Sequence, residues 1–310
     1  MKKKLISIVT PCFNEEGNVD ELYERIHKVM FGLKYQYEHI FIDNASTDNT
    51  AQKLRALTLK DKHVKVILNT RNFGHVRSPV YAVLQAKGDA VIAMASDLQD
   101  PPERIPEFLQ KWEAGYPIVI GVKEKTEASV LFHFIRTIYY RVLRSLSDVN
   151  LIENFTGFGL YDRKVMDIVR EIDDPYPYFR GIVSDLGFEV AKIIFTQPRR
   201  KRGLSKNNFY TLYDLAMLGL TSYTKVPLRI ATMFGFLSAL ISFLIGLAYL
   251  IYKLVFWYQF SLGSAPLVIG LFFLGSVQLM FLGIVGEYIG AIYTQVMHRP
   301  LVIEKERINF

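Results

Sequence analysis

The chain has 310 residues and a formal net charge of +7, and 50% of its residues are hydrophobic while only 22% are charged. This composition, with a mean hydropathy of +0.16, excludes a disordered, collagen-like or coiled-coil protein and favours one with a membrane segment. The single cysteine, Cys12, excludes a disulfide framework and a cysteine-rich zinc site, and the excess of basic groups is compatible with nucleic acid, anionic lipid or a phosphorylated substrate.

The first 120 residues alternate between short apolar runs and stretches with helical patterns. Five runs rich in β-branched residues predict strands that are buried on both faces of a sheet, namely LISIVT, HIFID, VKVILN, AVIAMA and IVIG. An alternating series of this kind predicts an α/β domain with a mostly parallel sheet. Such sheets bind ligands at the carboxyl ends of their strands, so the loops that follow the strands form the candidate site.

These loops read PCFNEEGN, DNASTDNT, NTRNFGH, SDLQDPPE and GVKEK, and four of the five contain Asp or Glu. The chain contains neither G-x-G-x-x-G nor G-x-x-x-x-G-K-[ST]. The sequence therefore supports neither a dinucleotide site of the Rossmann type nor a P-loop.

Two uncharged apolar stretches lie towards the end of the chain, Ile230 to Tyr252 and Leu267 to Gly286. As helices, both are long enough to cross a hydrocarbon core about 30 Å thick. Basic residues precede the first stretch and follow the second, whereas the link carries only Lys253, so the positive-inside rule predicts that both termini are cytoplasmic. The sequence thus predicts a multi-pass protein of the inner (plasma) membrane. Its predicted parts are a cytoplasmic domain at 1–198 and a basic loop with juxtamembrane amphipathic helices at 199–229. Two transmembrane helices with a short non-cytoplasmic link follow at 230–293, and a cytoplasmic tail at 294–310.

Motifs in the strand-end loops resemble those of family 2 glycosyltransferases of the GT-A fold. The segment Pro11-Cys12-Phe13-Asn14-Glu15 matches P-x-[YF]-N-E, and Arg71-Asn72-Phe73-Gly74 matches R-N-x-G. The segment Asp97-Leu98-Gln99-Asp100-Pro101-Pro102-Glu103 matches D-L-Q-x-P-P-E. Asp43 with Ser46 and Asp48 matches D-D-G-S-x-D, from which Asn44 and Ala45 depart. The chain is most similar to the branch that glycosylates polyisoprenyl phosphates. That branch includes bacterial bactoprenol-phosphate glucosyltransferases and, more distantly, dolichol-phosphate mannose synthases.

The resemblance implies a nucleotide-sugar donor that is bound by the strand-end loops, through Pro11, Phe13, Glu15, Asp43, Asn72 and Asp97. It also implies a divalent cation, Mg²⁺ or Mn²⁺, with Asp97 and Gln99 as metal ligands and Asp97 as the catalytic residue. A hard cation with oxygen ligands neutralises charge as the sugar–phosphate bond breaks. Asp100, which precedes two prolines, is instead expected to cap the following helix.

Two further positions depart from the family pattern. Ala95 stands where an acid two residues before Asp97 is usual, and Gly157 stands where relatives carry an acid sometimes proposed as catalytic. A phosphate monoester has a second pKa of about 6, so a lipid phosphate acceptor is mostly dianionic at neutral pH. Such an acceptor attacks without losing a proton, and positioning with charge compensation can then carry the reaction.

A basic segment, Arg199 to Lys206, precedes the apolar stretches. Its R-x-x-G-x-S-K core resembles the phosphate-binding loop of the family through Arg200, Ser205 and Lys206, and Lys123 stands where relatives often have Arg. These four side chains are the predicted phosphate ligands. The alternative interpretation of the basic run is membrane topology and attraction to anionic lipid, whereas a nucleic-acid partner is not expected because no groove-reading motif accompanies it.

The predicted function is the inverting transfer of a hexose, with glucose from UDP-glucose as the leading choice, to polyprenyl (undecaprenyl) phosphate on the cytoplasmic face of the membrane. Direct displacement of the nucleotide predicts inversion at the anomeric carbon. The alternatives are another donor such as GDP-mannose, or a non-catalytic, membrane-anchored nucleotide-binding protein, which Ala95 and Gly157 would favour. The expected partners are the nucleotide sugar, the polyprenyl phosphate and the lipid bilayer, and a homo-oligomer is left open.

Overall fold

A computed structural model describes residues 3–124, 152, 155–198, 209–256 and 264–310. Its strands in chain order are β1 (Leu5–Cys12), β2 (Gln36–Asp43), β3 (Val64–Asn69), β4 (Ala90–Ala93), β5 (Ile118–Lys123), β6 (Phe155–Asp162), β7 (Val190–Phe195) and β8 (Glu304–Ile308). Its helices are α1 (Val19–Phe31), α2 (Thr50–Lys60), α3 (Gly74–Gln85), α4 (Ile105–Glu113), α5 (Arg163–Ile172), α6 (Phe179–Asp185), α7 (Phe209–Tyr223), α8 (Val226–Val255) and α9 (Ser264–Val296), with a 3₁₀ turn at Pro102–Arg104.

The strands in the described part of the chain form one sheet with the order β7-β5-β6-β4-β1-β2-β3-β8. The central strands β4, β1, β2 and β3 are parallel, whereas β6 lies antiparallel between β4 and β5. The register pairs Cys12 with Asp43, so the loops after β1 and β2 leave the sheet at the same edge. This architecture confirms the predicted α/β fold of the GT-A type with a mostly parallel sheet.

The apolar core lies on both faces of the sheet, because β1 alternates its side chains between two clusters. Ile6 and Ile8 are fully buried in the cluster that also contains Leu22 and Ile26 of α1, while Val9 belongs to the cluster on the other face. Burial of each such side chain stabilises the fold by about 1.5–3 kcal/mol. The strand ends that carry the candidate site are therefore anchored in a packed core.

The last strand, β8, follows the two apolar helices in sequence and completes the edge of the sheet next to β3. The pairing is antiparallel and aligns Val66 with Ile308. Just before β8, the Ile303 carbonyl oxygen accepts hydrogen bonds from the Thr70 backbone N–H at 3.0 Å and from the Thr70 hydroxyl at 3.2 Å. The end of the predicted tail is thus part of the sheet, while the domain boundaries and the side of the membrane remain predictions.

Removing residues 300–310 should destabilise the sheet domain. The deletion takes away the hydrogen bonds of β8 and exposes the edge of β3, and several backbone hydrogen bonds at about 1 kcal/mol each predict a loss of roughly 3 kcal/mol. We expect thermal unfolding in detergent to occur several degrees lower than in the full chain. Lys305→Ala, which changes an exposed side chain of β8, is the matched control, and an unchanged transition in the deletion would contradict the pairing of β8 with β3.

Helices α8 and α9 contain the two predicted apolar stretches. They are long and apolar enough to cross a membrane over Val226–Ala248 and Phe273–Val296, and only 0% and 6% of these windows are buried inside the structure. A helical hairpin in the core of a soluble protein would instead bury most of these side chains. The two helices are therefore candidate membrane spans, and α8 begins slightly before the predicted start at Ile230.

Candidate active site

Asp43 lies at the carboxyl end of β2, next to the end of β1. Its side chain is buried and accepts hydrogen bonds from the Ser46 backbone N–H at 3.1 Å and from the Ser46 hydroxyl. Burial raises the pKa of Asp43, and the hydrogen bonds from Ser46 oppose this shift because they favour the carboxylate. A carboxylate at this strand end suits the N–H and O–H groups of a base or a ribose, because it is an acceptor with several lone pairs.

The loop after β1 is tied to the loop after β2 through Asn14. This residue has a left-handed backbone with a φ of 56°, a conformation that Asn adopts more readily than most residues. Its N–H donates to the Ser46 hydroxyl at 2.9 Å, and its side-chain oxygen accepts the Thr47 N–H at 2.8 Å. The two loops therefore hold each other in place beside Asp43.

The other predicted nucleotide ligands of the β1 segment follow the same path. Pro11 lies in β1, and Phe13 is half-buried at the start of the loop. Glu15 is buried; its carboxylate accepts the Asn18 amide at 2.6 Å, and its backbone N–H donates to the Thr50 hydroxyl at 2.8 Å. Glu15 therefore also holds the start of α1, and the contacts of all three residues with a nucleotide remain predictions.

The Asn44 side chain joins the loop after β2 to the end of β3 and the loop that follows it. Its side-chain amide donates to the Asn72 side-chain oxygen at 2.9 Å and to the Gly74 carbonyl oxygen at 3.0 Å. Its side-chain oxygen accepts the Asn69 amide at 3.1 Å and the Phe73 backbone N–H at 2.9 Å. The side chain uses both donors and both acceptor positions of an amide, so the loop with Asn72 is fixed next to Asp43. Sequence reasoning noted Asn44 only as a departure from the motif and missed this role.

Asn44→Asp should therefore be strongly destabilising, although Asp is the residue that the family motif has here. The carboxylate cannot donate, so two bonds are lost and a buried charge faces two acceptor oxygens, at a cost of roughly 3 kcal/mol. Thermal unfolding would measure the loss, and labelling of Cys12, which is buried and the only cysteine, would report opening of the site. The same change at exposed Asn49 is the control, and equal stability of the two variants would contradict the network.

The loop after β4 carries Asp97 and Gln99 around a tight turn. Leu98 has a left-handed backbone with a φ of 63° and a buried side chain, and the Gln99 N–H donates to the Asp97 carboxylate at 3.2 Å. The Gln99 side-chain amide donates to the Pro198 carbonyl oxygen at 3.4 Å. The turn thus presents the half-buried Asp97 carboxylate and the Gln99 amide on the same loop.

The expectation that Asp100 caps the following helix is wrong. Its carboxylate accepts the Ala95 N–H at 2.9 Å, and the 3₁₀ turn at Pro102–Arg104 has no side-chain cap. Burial raises the pKa of Asp100 to about 6, the hydrogen bond from Ala95 opposes the shift, and the nearby charge of Asp97 adds to it. The capping preference is overridden because a backbone N–H inside this turn requires a partner.

Asp97 and Gln99 offer oxygen ligands of the kind that hard divalent cations prefer. Among the residues that the structure describes, no group of three or more His, Cys, Asp and Glu side chains could hold a metal ion. Mg²⁺ commonly binds through one or two carboxylates, with substrate phosphates and waters as its other ligands. The donor set therefore fits a cation that binds together with a diphosphate, and the ligand roles of Asp97 and Gln99 remain predictions.

Asp43 ends β2 and Asp97 follows β4, the two strands that flank β1. The order β4-β1-β2 makes these strands second neighbours, and neighbouring strands lie about 4.8 Å apart, so the two strands are separated by about 10 Å. A nucleoside diphosphate can extend over this distance, with its base near one carboxylate and its phosphates near the other. The structure thus places the two carboxylates that are predicted to bind the donor on one edge of the sheet.

The predicted phosphate ligands fall into two groups. Lys123 is the last residue of β5, and its positive charge opposes the raised pKa of the buried Asp100. Because β5 and β4 are both antiparallel to β6, which lies between them, Lys123 ends β5 at the same edge of the sheet as the loop after β4. Arg200, Ser205 and Lys206 lie outside the described residues, and their phosphate-binding role stays a prediction.

Gly157 has a structural reason to be glycine. It lies in β6 with a φ of 104°, a conformation that side chains disfavour. Its carbonyl oxygen accepts the Tyr161 hydroxyl at 3.0 Å. The acid that relatives carry at this position would therefore strain the backbone of this chain.

Comparisons with known proteins agree with the fold and the motifs. The sequence model of glycosyl transferase family 2 matches residues 7–169, and that of the GtrB C-terminal hairpin matches residues 226–292. The bactoprenol glucosyl transferase of Shigella phage SfV is 35% identical over 301 residues, which cover 97% of this chain and 98% of that protein. The glycosyltransferase YkcC of Bacillus subtilis is 36% identical over 298 residues, which cover 96% and 92% of the two chains.

Solved structures show a more distant likeness. Glucosyl-3-phosphoglycerate synthase from Mycobacterium tuberculosis is 18% identical with a TM-score of 0.49, and the match covers 70% of this chain and 76% of that one. At this level of similarity, we base no functional conclusion on it.

Proposed function

The chain belongs to glycosyl transferase family 2 and is a glycosyltransferase, and we propose that it transfers a hexose from a nucleotide sugar to polyprenyl phosphate. The observation that carries the proposal is the similarity to bactoprenol glucosyl transferases over nearly the whole length, which includes both the sheet domain and the two apolar helices. A lipid acceptor is reasonable for a glycosyltransferase with two candidate membrane spans, because the enzyme and its acceptor then share the bilayer.

The donor is proposed to lie across the end of β1. Asp43 accepts hydrogen bonds from the base or ribose, with Pro11, Phe13, Glu15 and Asn72 around them. The diphosphate lies towards the loop after β4, where Asp97 and Gln99 would hold Mg²⁺ or Mn²⁺. When bound, this cation supplies Lewis-acid stabilisation of the charge that develops on the leaving nucleotide.

The acceptor phosphate is proposed to be the nucleophile without the help of a general base. Its second pKa is about 6, so it is mostly dianionic at neutral pH and has no proton to lose. Gly157 agrees with this proposal, because it leaves no acid at the position that relatives use. Attack opposite the leaving nucleotide inverts the anomeric carbon, so an α-linked donor gives a β-linked product. Lys123, Arg200, Ser205 and Lys206 are the proposed phosphate ligands.

The proposed arrangement in the cell follows from the two candidate spans. A domain at 1–198 and a basic juxtamembrane segment at 199–229 lie on the cytoplasmic face of the inner membrane. The spans at 230–293 hold the protein in the bilayer, and the tail at 294–310 returns to the cytoplasm and supplies β8. This topology rests on the distribution of Lys and Arg around the spans.

A donor panel tests the proposal and identifies the sugar. The full chain, purified in detergent, is incubated with Mg²⁺, undecaprenyl phosphate and radiolabelled UDP-glucose, UDP-N-acetylglucosamine or GDP-mannose in separate reactions. We expect label in the organic phase with UDP-glucose, which is proposed from the names of the relatives. Undecaprenol without its phosphate is the control acceptor. Failure of every donor, or equal transfer to undecaprenol, would overturn the proposal.

A further inference from the structure

Two arginines, Arg71 and Arg77, lie beside the ring of Phe73, and a third, Arg299, follows α9 close to Arg77. The Cζ atom of Arg71, which follows β3, lies 4.1 Å from the ring centroid, and that of Arg77, in the first turn of α3, lies 5.6 Å from it. The Arg77 Nη2 donates to the Pro300 carbonyl oxygen, which is next to Arg299 in the chain. The Arg299 charge is close enough to act on Arg77, so the three arginines share one small area of the surface, which we call the arginine cluster.

Within the described residues, the arginine cluster has no carboxylate in direct contact with it. None of its members forms an ion pair with a described carboxylate, and the Arg77 Nε is buried without a hydrogen-bond partner in the described part of the protein. Burial lowers the pKa of Arg77, and the positive charges of Arg71 and Arg299 lower it further. Repulsion between like charges at this range is unfavourable unless an anion compensates it.

The arginine cluster and the proposed metal ligand Asp97 lie at different strands of the sheet. Arg71 follows β3, which lies three strand positions from β4 in the order β4-β1-β2-β3. Three spacings of about 4.8 Å place the end of β3 about 14 Å from the strand that precedes Asp97. The cluster therefore lies on the β3 side of this sheet edge, away from the strand that precedes Asp97.

The arginine cluster lies instead close to the end of the second candidate span. The span window ends at Val296, and Arg299 follows it by three residues. Three extended residues reach about 10 Å at most, and the polar layer on each side of the hydrocarbon core is about 5–7 Å thick. If α9 crosses the bilayer, Arg299 therefore lies within reach of the lipid headgroups.

We propose that Arg71, Arg77 and Arg299 bind the phosphate of an anionic membrane lipid. Guanidinium groups bind phosphate oxygens through paired, charge-assisted hydrogen bonds, which suits them better than lysine for this purpose. The bound phosphate neutralises the arginine cluster and links the end of α9 to the first turn of α3. It thereby fixes the orientation of the sheet domain on the membrane. This inference depends on the membrane placement of α9 but not on the donor or the acceptor.

The test measures stabilisation of the full chain by lipid in a neutral detergent, without nucleotide sugar. Thermal unfolding is followed while phosphatidylglycerol, phosphatidylcholine, inorganic phosphate or undecaprenyl phosphate is titrated. We expect a rise in the unfolding temperature with phosphatidylglycerol, and an apparent affinity for it that is about tenfold weaker in Arg77→Gln and Arg299→Gln. Arg299 is exposed, so that variant tests the cluster even if Arg77→Gln folds poorly.

Arg55→Gln is the matched control, because Arg55 is a partly exposed arginine that already pairs with Glu306. It removes the same charge and should keep the full response to phosphatidylglycerol. A response that survives in the Arg299 variant, or that inorganic phosphate or phosphatidylcholine reproduces, would overturn the lipid site. A response to undecaprenyl phosphate alone would assign the arginine cluster to the acceptor and would also overturn it. Since no sugar transfer is measured, failure here is distinct from failure of the proposed function.

Discussion

Asp97→Asn should lower kcat by about a hundredfold or more while the protein stays folded. Asn has the size of Asp and keeps an oxygen that can accept the Gln99 N–H, so the turn after β4 should survive. The amide lacks the charge that would hold a divalent cation against the donor diphosphate. Turnover of the nucleotide sugar at saturating acceptor, measured over a range of Mg²⁺ and Mn²⁺ concentrations, checks this prediction.

The control for Asp97 is Asp89→Asn. Asp89 also accepts a backbone N–H, from Leu5 at 2.8 Å, but it lies at the other end of the strands. We expect the control to keep nearly full activity. A folded Asp97→Asn protein with near-full turnover at ordinary metal concentrations would remove Asp97 from the site, whereas partial recovery at high metal would support a ligand role.

Asp43→Asn should weaken nucleotide binding by about 10- to 100-fold, because a hydrogen bond to a charged, buried acceptor is lost. The amide oxygen can still accept the Ser46 N–H, so the loop after β2 should keep its shape. Calorimetry with UDP and with GDP in the presence of Mg²⁺ measures the effect and also shows which base the pocket prefers. The KM for the acceptor should not change, since Asp43 is on the donor side.

Lys53→Ala is a control for the Asp43 experiment, because Lys53 pairs with Asp20 on the surface of the same region. Its removal should leave nucleotide binding as it is. Unchanged affinity for both nucleotides in a folded Asp43→Asn protein would show that the base and ribose bind elsewhere.

The first five strands were predictable from the sequence for a physical reason. Parallel strands that are buried on both faces are apolar along most of their length. The short apolar runs LISIVT and VKVILN, which are rich in β-branched residues, therefore predict such strands. The later strands carry weaker signals. β6 contains two glycines, and β8 reads EKERI, which is polar because it lies at the edge of the sheet. Only its pairing with β3 reveals β8 as a strand, and a chain cut before the spans would lack it.

The candidate site was predictable where a short motif carries the chemistry. Asp43, Asn72 and Asp97 were identified through the family resemblance, and the structure places them at one edge of the sheet. Asn44 was missed because its four hydrogen-bond partners all come from one segment, 69–74, that is distant in sequence. The prediction for Asp100 was wrong because the capping rule considers only the start of the following helix. In the structure, the Asp100 carboxylate instead accepts the Ala95 N–H inside the turn.

Inverting transfer to a lipid phosphate is tested most directly by the structure of the product. The full chain is incubated with undecaprenyl phosphate and UDP-glucose labelled at the anomeric carbon, and the lipid product is examined by nuclear magnetic resonance. We predict coupling between the labelled carbon and phosphorus, which shows that the sugar is bonded to the acceptor phosphate, together with the β configuration that direct displacement produces. An α-linked product, or free glucose without any lipid product, would contradict inverting transfer to a lipid phosphate.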